Sequence, residues 1–171
     1  MNNNKTKNNN KKQNTEELKS TSVFIRGTLT DAMFGKRSFA KGSDSKEKYR
    51  ISIKALPEDM EKLVEAAEPY YENTDDAWIP KWFKDEEARE YLNVSSNYDI
   101  KAGLKGEDGT IQELGNLMDY ISENGNINGS KVVLMVILKE GAIYPQSLLI
   151  KELHQTTISD MFMEFEDELP W

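Results

Sequence analysis

Positively charged and aromatic side chains are concentrated in one part of this sequence. Residues 35–54 contain seven lysines and arginines against two acids, although the whole chain has a formal net charge of −8. Unpaired nucleic acid needs cations for its phosphates and flat aromatic faces for its bases. The residues predicted to contact it are Phe24, Arg26, Phe34, Lys36, Arg37, Phe39, Lys41, Lys48, Arg50 and Lys54. For any single residue of this set, a solvated hairpin at the edge of a sheet is the structural alternative.

Negative charge is concentrated at the C-terminus. Residues 158–171 contain five acids and no base, interspersed with large apolar side chains, and the chain ends in Leu-Pro-Trp. Such a segment cannot build a core, but its carboxylates can meet a basic rim on a partner while the terminal indole fills a pocket. The predicted partner-binding residues are Phe165, Glu166, Asp167, Glu168, Leu169, Pro170 and Trp171. The alternative is a tail that only improves solubility, although solubility does not require exposed aromatic rings.

The residue types argue against most catalytic chemistry. The chain has no cysteine and one histidine, His154, so disulfides and thiolate nucleophiles are excluded, and a histidine-based metal site or triad has little support. We therefore expect no catalytic residue, no metal and no cofactor. The sequence Asp99-Ile100-Lys101 resembles the end of a metal-dependent nuclease motif. An acid two residues before a lysine occurs by chance in so charged a chain, and this hypothesis ranks last.

The length and hydropathy of the chain indicate one domain without a membrane segment. The chain has 171 residues, within the ~100–200 that one domain takes. Its longest apolar run, residues 132–138, is far below the ~20 residues that cross a bilayer. No apolar secretory signal follows Met1, so we expect a cytoplasmic protein. We predict a disordered Asn/Lys-rich arm over residues 1–19, the domain over residues 20–157, and a disordered acidic tail over residues 158–171.

Two segments alternate between apolar and polar residues, which predicts strands with one buried face. They are residues 22–30 and residues 48–56. The outward face of the second strand carries Lys48, Arg50 and Lys54. Like charges at alternate positions on one strand repel each other. The pattern therefore favours an anionic ligand over a purely structural role.

Three further strands are predicted, at residues 98–104, 132–138 and 147–153. In the first of them the alternation places Tyr98 inward. The second is a continuous apolar run, which is typical of a strand covered on both faces. Five strands with one principal helix indicate a mainly β protein, a five-stranded OB-fold barrel whose strand faces and loops bind oligonucleotides.

One helix and one insertion complete the predicted domain. The helix begins at Pro57, which suits a first helical position, and ends at Pro69. Residues 70–92 are predicted to form an aromatic insertion with a short helical stretch at its end. Its satellite core consists of Trp78, Trp82 and Phe83, of which Trp82 is also a candidate for base stacking. The sequence of residues 110–121 is compatible with a helix, a turn or a strand, and the pattern does not decide among them.

The C-terminal tip resembles that of bacterial and bacteriophage single-stranded DNA-binding proteins. Their tips end in several acids, an aliphatic residue, proline and an aromatic residue, and Trp171 stands here in place of the usual phenylalanine. The body is similar to phage-encoded members with an elaborated OB fold at residues 48–53, 100–103 and 128–132. Lys101, within the second of these segments, completes the set of predicted DNA contacts.

The resemblance implies a function without catalysis. It implies sequence-independent binding and protection of single-stranded DNA during phage replication, recombination and repair, in the cytoplasm of the host bacterium. It also implies that the tail docks onto replication or recombination proteins. It does not decide whether the protein forms a homodimer. The opposite charges of the two segments suggest that the tail covers the DNA groove when DNA is absent. The rival hypothesis is an acidic adaptor, or DNA mimic, that binds a host protein and never binds DNA.

Overall fold

The computed structural model describes residues 20–35, 46–139 and 142–155. The predicted arm at residues 1–19 lies outside these ranges, as does the predicted tail with its partner-binding residues 165–171. Four predicted DNA contacts also lie outside them: Lys36, Arg37, Phe39 and Lys41.

Seven strands of the described residues form one mixed sheet. They are β1 (Thr21–Gly35), β2 (Lys48–Ala55), β3 (Tyr91–Ser96), β4 (Lys101–Lys105), β5 (Ile111–Asn116), β6 (Lys131–Lys139) and β7 (Ala142–Glu152). Their order is β3-β2-β1-β6-β7-β4-β5, and every neighbouring pair is antiparallel except β4 with β7. The predicted mainly β class is confirmed. The predicted number of five strands is too low, because the described residues form seven strands in one open sheet.

Three α-helices of the described residues accompany the sheet: α1 (Pro57–Tyr71), α2 (Lys81–Lys84) and α3 (Leu117–Asn124). The predicted start of α1 at Pro57 is confirmed, but Pro69 lies inside the helix. A proline in the last turn removes one backbone hydrogen bond. The turn is nevertheless held by the buried Tyr71, which is 3% exposed, and by the Tyr70 hydroxyl group, which lies 3.0 Å from Thr21 Oγ1. Among the helices that the structure describes, none has the length and apolar character that a bilayer crossing requires.

The two strands that the sequence pattern did not reveal are β3 and β5. In β3, Leu92 and Val94 are buried on alternate positions, but the next inward residue is Ser96, so the apolar period ends early. Residues 110–121 contain both a strand and a helix, β5 followed by α3. Gly115, which suggested a turn, has a φ of +78° and lies within β5, beside an irregular register between β4 and β5.

The sheet is strongly curved. Some Cα atoms of β3 lie within 8 Å of Cα atoms of β7, although β2, β1 and β6 separate the two strands in the strand order. In a flat sheet, four strand spacings of about 4.8 Å would place them roughly 19 Å apart. Because β4 follows β3 along the chain after residues 97–100 and pairs with β7, this short link joins the two sides of the curved sheet.

The core fills the concave side of this sheet. Its largest fully buried side chains include Ile25, Leu29, Ile51, Ile53, Leu92 and Leu134 from the strands and Met60 and Leu63 from α1. In β6, the even-numbered residues are buried and Val133, Met135 and Ile137 are only half-buried. The prediction that β6 is covered on both faces is therefore wrong for the part of the chain that the structure describes.

The aromatic insertion separates its two tryptophans. Trp82 is 8% exposed and packs edge-on against Tyr71 and Phe83, with ring centroids 6.2 Å apart in each case. Trp78 is 80% exposed on a 3-10 turn, Asp76–Trp78. The predicted satellite core is confirmed for Trp82 and Phe83 and wrong for Trp78. Trp82 cannot stack on a base while it is buried in this way.

β1 changes partners in its middle, and Gly27 makes the change possible. Residues 21–28 of β1 pair with β6, whereas residues 27–35 pair with β2. A Cβ atom on Gly27 would lie 2.2 Å from the carbonyl oxygen of Lys54. Only a residue without a side chain allows so close an approach of two backbones.

Gly27→Ala should therefore destabilise the fold. We expect the free energy of unfolding to fall by about 1–3 kcal/mol, because the backbone of β1 or β2 must move to accommodate the methyl group. Urea denaturation followed by circular dichroism measures this loss, and Ser22→Ala, an exposed change on the same strand, is the control. Equal midpoints for the two variants would contradict the close approach.

Candidate nucleic-acid interface

The outward face of β2 carries the predicted row of cations. Ile51, Ile53 and Ala55 are buried, so the alternate positions face outward as the sequence pattern indicates. Lys48 and Lys54 lie at opposite ends of this row, roughly 20 Å apart at the strand rise of about 3.3 Å per residue. The surroundings of the two ends differ.

At the Lys54 end, two lysines are paired with acids. Lys54 Nζ lies 3.6 Å from Glu90 Oε1, and Lys131 Nζ lies 3.4 Å from Glu152 Oε2. Both pairs line a groove of about 1000 Å³ whose walls carry acids as well as bases. A surface with this balance of charge has little attraction for a polyanion.

Arg26, also at this end, is bound to a buried carboxylate. Its Nε donates to Asp59 Oδ2 over 2.9 Å and its Nη2 to Asp59 Oδ1 over 3.0 Å. The backbone N–H of Arg26 also donates to Asp59 Oδ2, over 2.8 Å. Asp59 is 1% exposed, and its hydrogen bond with Arg26 lowers the pKa of its carboxyl group. The position of Arg26 thus supports a role in joining β1 to α1 more than the predicted role in DNA binding.

At the Lys48 end, the described residues leave several lysines without an acid partner. Lys46, Lys48, Lys101 and Lys139 form no salt bridge with any acid of the described ranges. Arg50 donates from Nε to the carbonyl oxygen of Gly35 and from Nη2 to that of Lys46, over 3.3 Å each. These bonds hold together the two ends of the connection between β1 and β2.

The two predicted phenylalanines that the structure describes, Phe24 and Phe34, lie on opposite faces of the sheet. The register between β1 and β2 shifts between Leu29 and Asp31, which reverses the alternation in the second half of β1. Phe34 therefore lies opposite Tyr49, with ring centroids 4.6 Å apart, on the face that carries Ile51. Phe24 is 60% exposed on the other face, opposite Met135. Phe34 is 48% exposed, and the Phe34–Tyr49 pair lies at the Lys48 end of β2.

Lys101 lies in a groove of about 630 Å³ that adjoins this end. Ser96, which also lines the groove, is the register partner of Tyr49 across β2 and β3. Sequence reasoning missed three other residues of the groove: Tyr98, Lys139 and Tyr144. Tyr98 is 81% exposed, so its predicted inward orientation is wrong. β4 begins only at Lys101, and the strand alternation does not extend back to Tyr98.

Asp99, the acid of the nuclease hypothesis, is engaged in positioning α3. Its Oδ1 accepts hydrogen bonds from the backbone N–H groups of Ile100, over 2.7 Å, and Met118, over 3.4 Å. Within the described ranges, no group of three histidines or acids could hold a metal ion. The geometry of Asp99 therefore lends the nuclease hypothesis no support.

The chain matches no protein-family model, and the comparison with curated proteins found no significant match.

The Arg26–Asp59 pair makes stability depend on pH. The pKa of Asp59 is lower in the folded protein than its unfolded value near 3.9. Its contribution is therefore fully present above about pH 4 and is lost as the pH falls through the folded pKa. Asp59→Asn should lower the thermal midpoint at pH 7 by several degrees, and the difference from the natural chain should shrink below pH 4.

Thermal unfolding measured from pH 7 down to pH 3 tests this expectation. Glu58→Gln is the matched control, because Glu58 also faces Arg26 but at 3.5 Å and with 70% of its side chain exposed, where an ion pair contributes little. A difference between Asp59→Asn and the natural chain that does not change with pH would contradict the role given to the charge.

Proposed function

We propose that this protein binds single-stranded DNA without sequence preference, at the Lys48 end of its curved sheet. The observation that carries the proposal is the separation of charge between the two ends of β2. At one end Arg26, Lys54 and Lys131 are paired with acids, and at the other Lys46, Lys48, Lys101 and Lys139 are not paired with an acid of the described ranges. In a chain of net charge −8, such a surface attracts a polyanion locally.

The topology supports an OB-type arrangement as part of this proposal. β1 lies between β2 and β6, and β3 approaches β7 in the same direction, since four antiparallel steps separate them. A five-stranded barrel with the β4–β5 hairpin added to it would have this order. In OB folds, oligonucleotides bind near the loops that join the first two and the last two strands. Lys48 begins β2 beside the first of these connections, and Lys139 ends β6 beside the second.

Salt dependence of binding to an oligo-dT strand tests the proposal directly. If the four lysines each neutralise a phosphate, the slope of log K against log salt concentration should be about −3, at roughly −0.7 for each phosphate. Lys48→Gln combined with Lys139→Gln should weaken binding and reduce the slope by about 1.4.

Lys62→Gln is the matched control for these lysines, because Lys62 lies on α1 beside Asp59, away from the proposed interface. Fluorescence anisotropy of a labelled strand at several salt concentrations gives both quantities. No binding at low salt, or a slope near zero, would reject the interface and favour the acidic adaptor, which binds protein only.

The acidic C-terminal segment extends the proposal to partner proteins. We infer from its five acids that it competes with DNA for the lysines and that it recruits replication or recombination proteins. Removing residues 162–171 should raise affinity for oligo-dT at low salt. Replacing the four acids at positions 164 and 166–168 by the corresponding amides, glutamine or asparagine, should raise the affinity in the same way. Unchanged or weaker binding by both variants would contradict the competition.

A further inference from the structure

We propose that Tyr98 and Tyr144 form a stacking subsite for unpaired bases in the groove that also contains Lys101 and Lys139. Both tyrosines line this groove, which has a volume of about 630 Å³. The inference rests on the proposed function, because it assigns the bases of a bound strand to one surface beside the phosphate-binding lysines.

Both aromatic rings are accessible. Tyr98 is 81% exposed and Tyr144 is 44% exposed. Neither ring packs against another aromatic ring of the described residues, where the close pairs are formed by Phe34, Tyr49, Tyr71, Trp82 and Phe83. An aromatic ring with a free face can stack on any of the four bases, and this gives affinity without sequence preference.

The backbone that carries the two rings is held in place. The N–H of Tyr98 donates to Ser96 Oγ over 3.1 Å, and Ile100, two residues further on, is 1% exposed in the core. Tyr144 lies opposite Ile137 in the β6–β7 ladder, next to a register shift and to the buried Pro145. Tyrosine provides contact area with little loss of side-chain entropy, so rigid attachment of both rings favours binding.

The charges in the groove suit a nucleotide. Lys101 and Lys139 have no acid within salt-bridge distance among the described residues. Asp99 is the one acid among the described residues that line this groove, and its Oδ1 already accepts hydrogen bonds from two backbone N–H groups. Bases within a duplex are already stacked on one another, so aromatic platforms beside these lysines select unpaired strands.

Exposure alone does not define this subsite. Trp78 is 80% exposed, but it follows Asp75 and Asp76 in its turn, and the nearby Lys84 is paired with Asp76 over 3.1 Å. Tyr91 is 47% exposed, but it lies opposite Lys54 at the charge-balanced end of the sheet. Of these three sites, the groove alone combines exposed rings with lysines that have no acid partner in the described ranges.

Two ligands separate stacking from phosphate binding: an oligo-dT strand, and an abasic strand of the same length with the same phosphates. The natural chain should bind oligo-dT more tightly than the abasic strand. Replacing both residues, Tyr98→Ala and Tyr144→Ala, should weaken oligo-dT binding by about tenfold for each ring. Affinity for the abasic strand and the salt slope should not change.

Three further variants make the test specific. Tyr98→Phe with Tyr144→Phe should keep the preference for oligo-dT, because stacking needs the ring and not the hydroxyl group. Tyr98→Leu with Tyr144→Leu retains apolar bulk, which protects the fold, and should lose the preference as the alanine pair does. Tyr91→Ala should behave as the natural chain does.

The outcomes distinguish this subsite from the function on which it rests. If the natural chain binds both strands with a negative salt slope and the alanine and leucine pairs change neither affinity, the subsite is wrong and DNA binding stands. If the natural chain binds neither strand, the proposed function itself fails. Loss of the preference in the phenylalanine pair would overturn stacking in favour of hydrogen bonding by the hydroxyl groups.

Discussion

The partner change of β1 is the constraint on which the curved sheet depends. β1 must leave β6 and join β2 within a few residues, and at that point two backbones approach more closely than any side chain would permit. Where β2 no longer covers the edge of β1, the Asp59 carboxylate accepts the hydrogen bond from the backbone N–H of Arg26. The backbone N–H of Leu56 donates to the carbonyl oxygen of Arg26 over 3.0 Å. A buried carboxylate thus takes the place of a strand, and its charge is balanced by the Arg26 guanidinium group.

This arrangement gives the two ends of β2 different electrostatic properties. The end near Gly27 contains the join between β1 and α1. Three cations at this end, Arg26, Lys54 and Lys131, are paired with Asp59, Glu90 and Glu152 respectively. At the other end, Arg50 closes the base of a long connection with backbone contacts, and the neighbouring lysines form no salt bridge with an acid of the described ranges. Structural ion pairs and the proposed DNA-binding surface can therefore coexist on one strand, because they lie roughly 20 Å apart.

Local pattern predicted the parts of the fold that depend on one segment alone. The alternation in β2, the start of α1 at Pro57 and the burial of Trp82 follow from apolar spacing and backbone chemistry. β3 was missed because its third inward residue is Ser96, and Pro69 did not end α1 because packing of Tyr71 outweighs one lost hydrogen bond. Trp78 was assigned to a core because hydrophobicity does not indicate on which side of a turn a ring lies.

By itself, the sequence determined that this is a mainly β protein without cysteine chemistry, and that its charge is divided between a basic stretch and an acidic end. Those properties depend on composition and on short-range periodicity. Only the tertiary structure decided which cations are neutralised, that Phe24 and Phe34 lie on opposite faces, and that Tyr98 and Tyr144 share a groove with Lys101. Register shifts, strand order and ion pairs join residues far apart in the chain, and no local pattern contains that information.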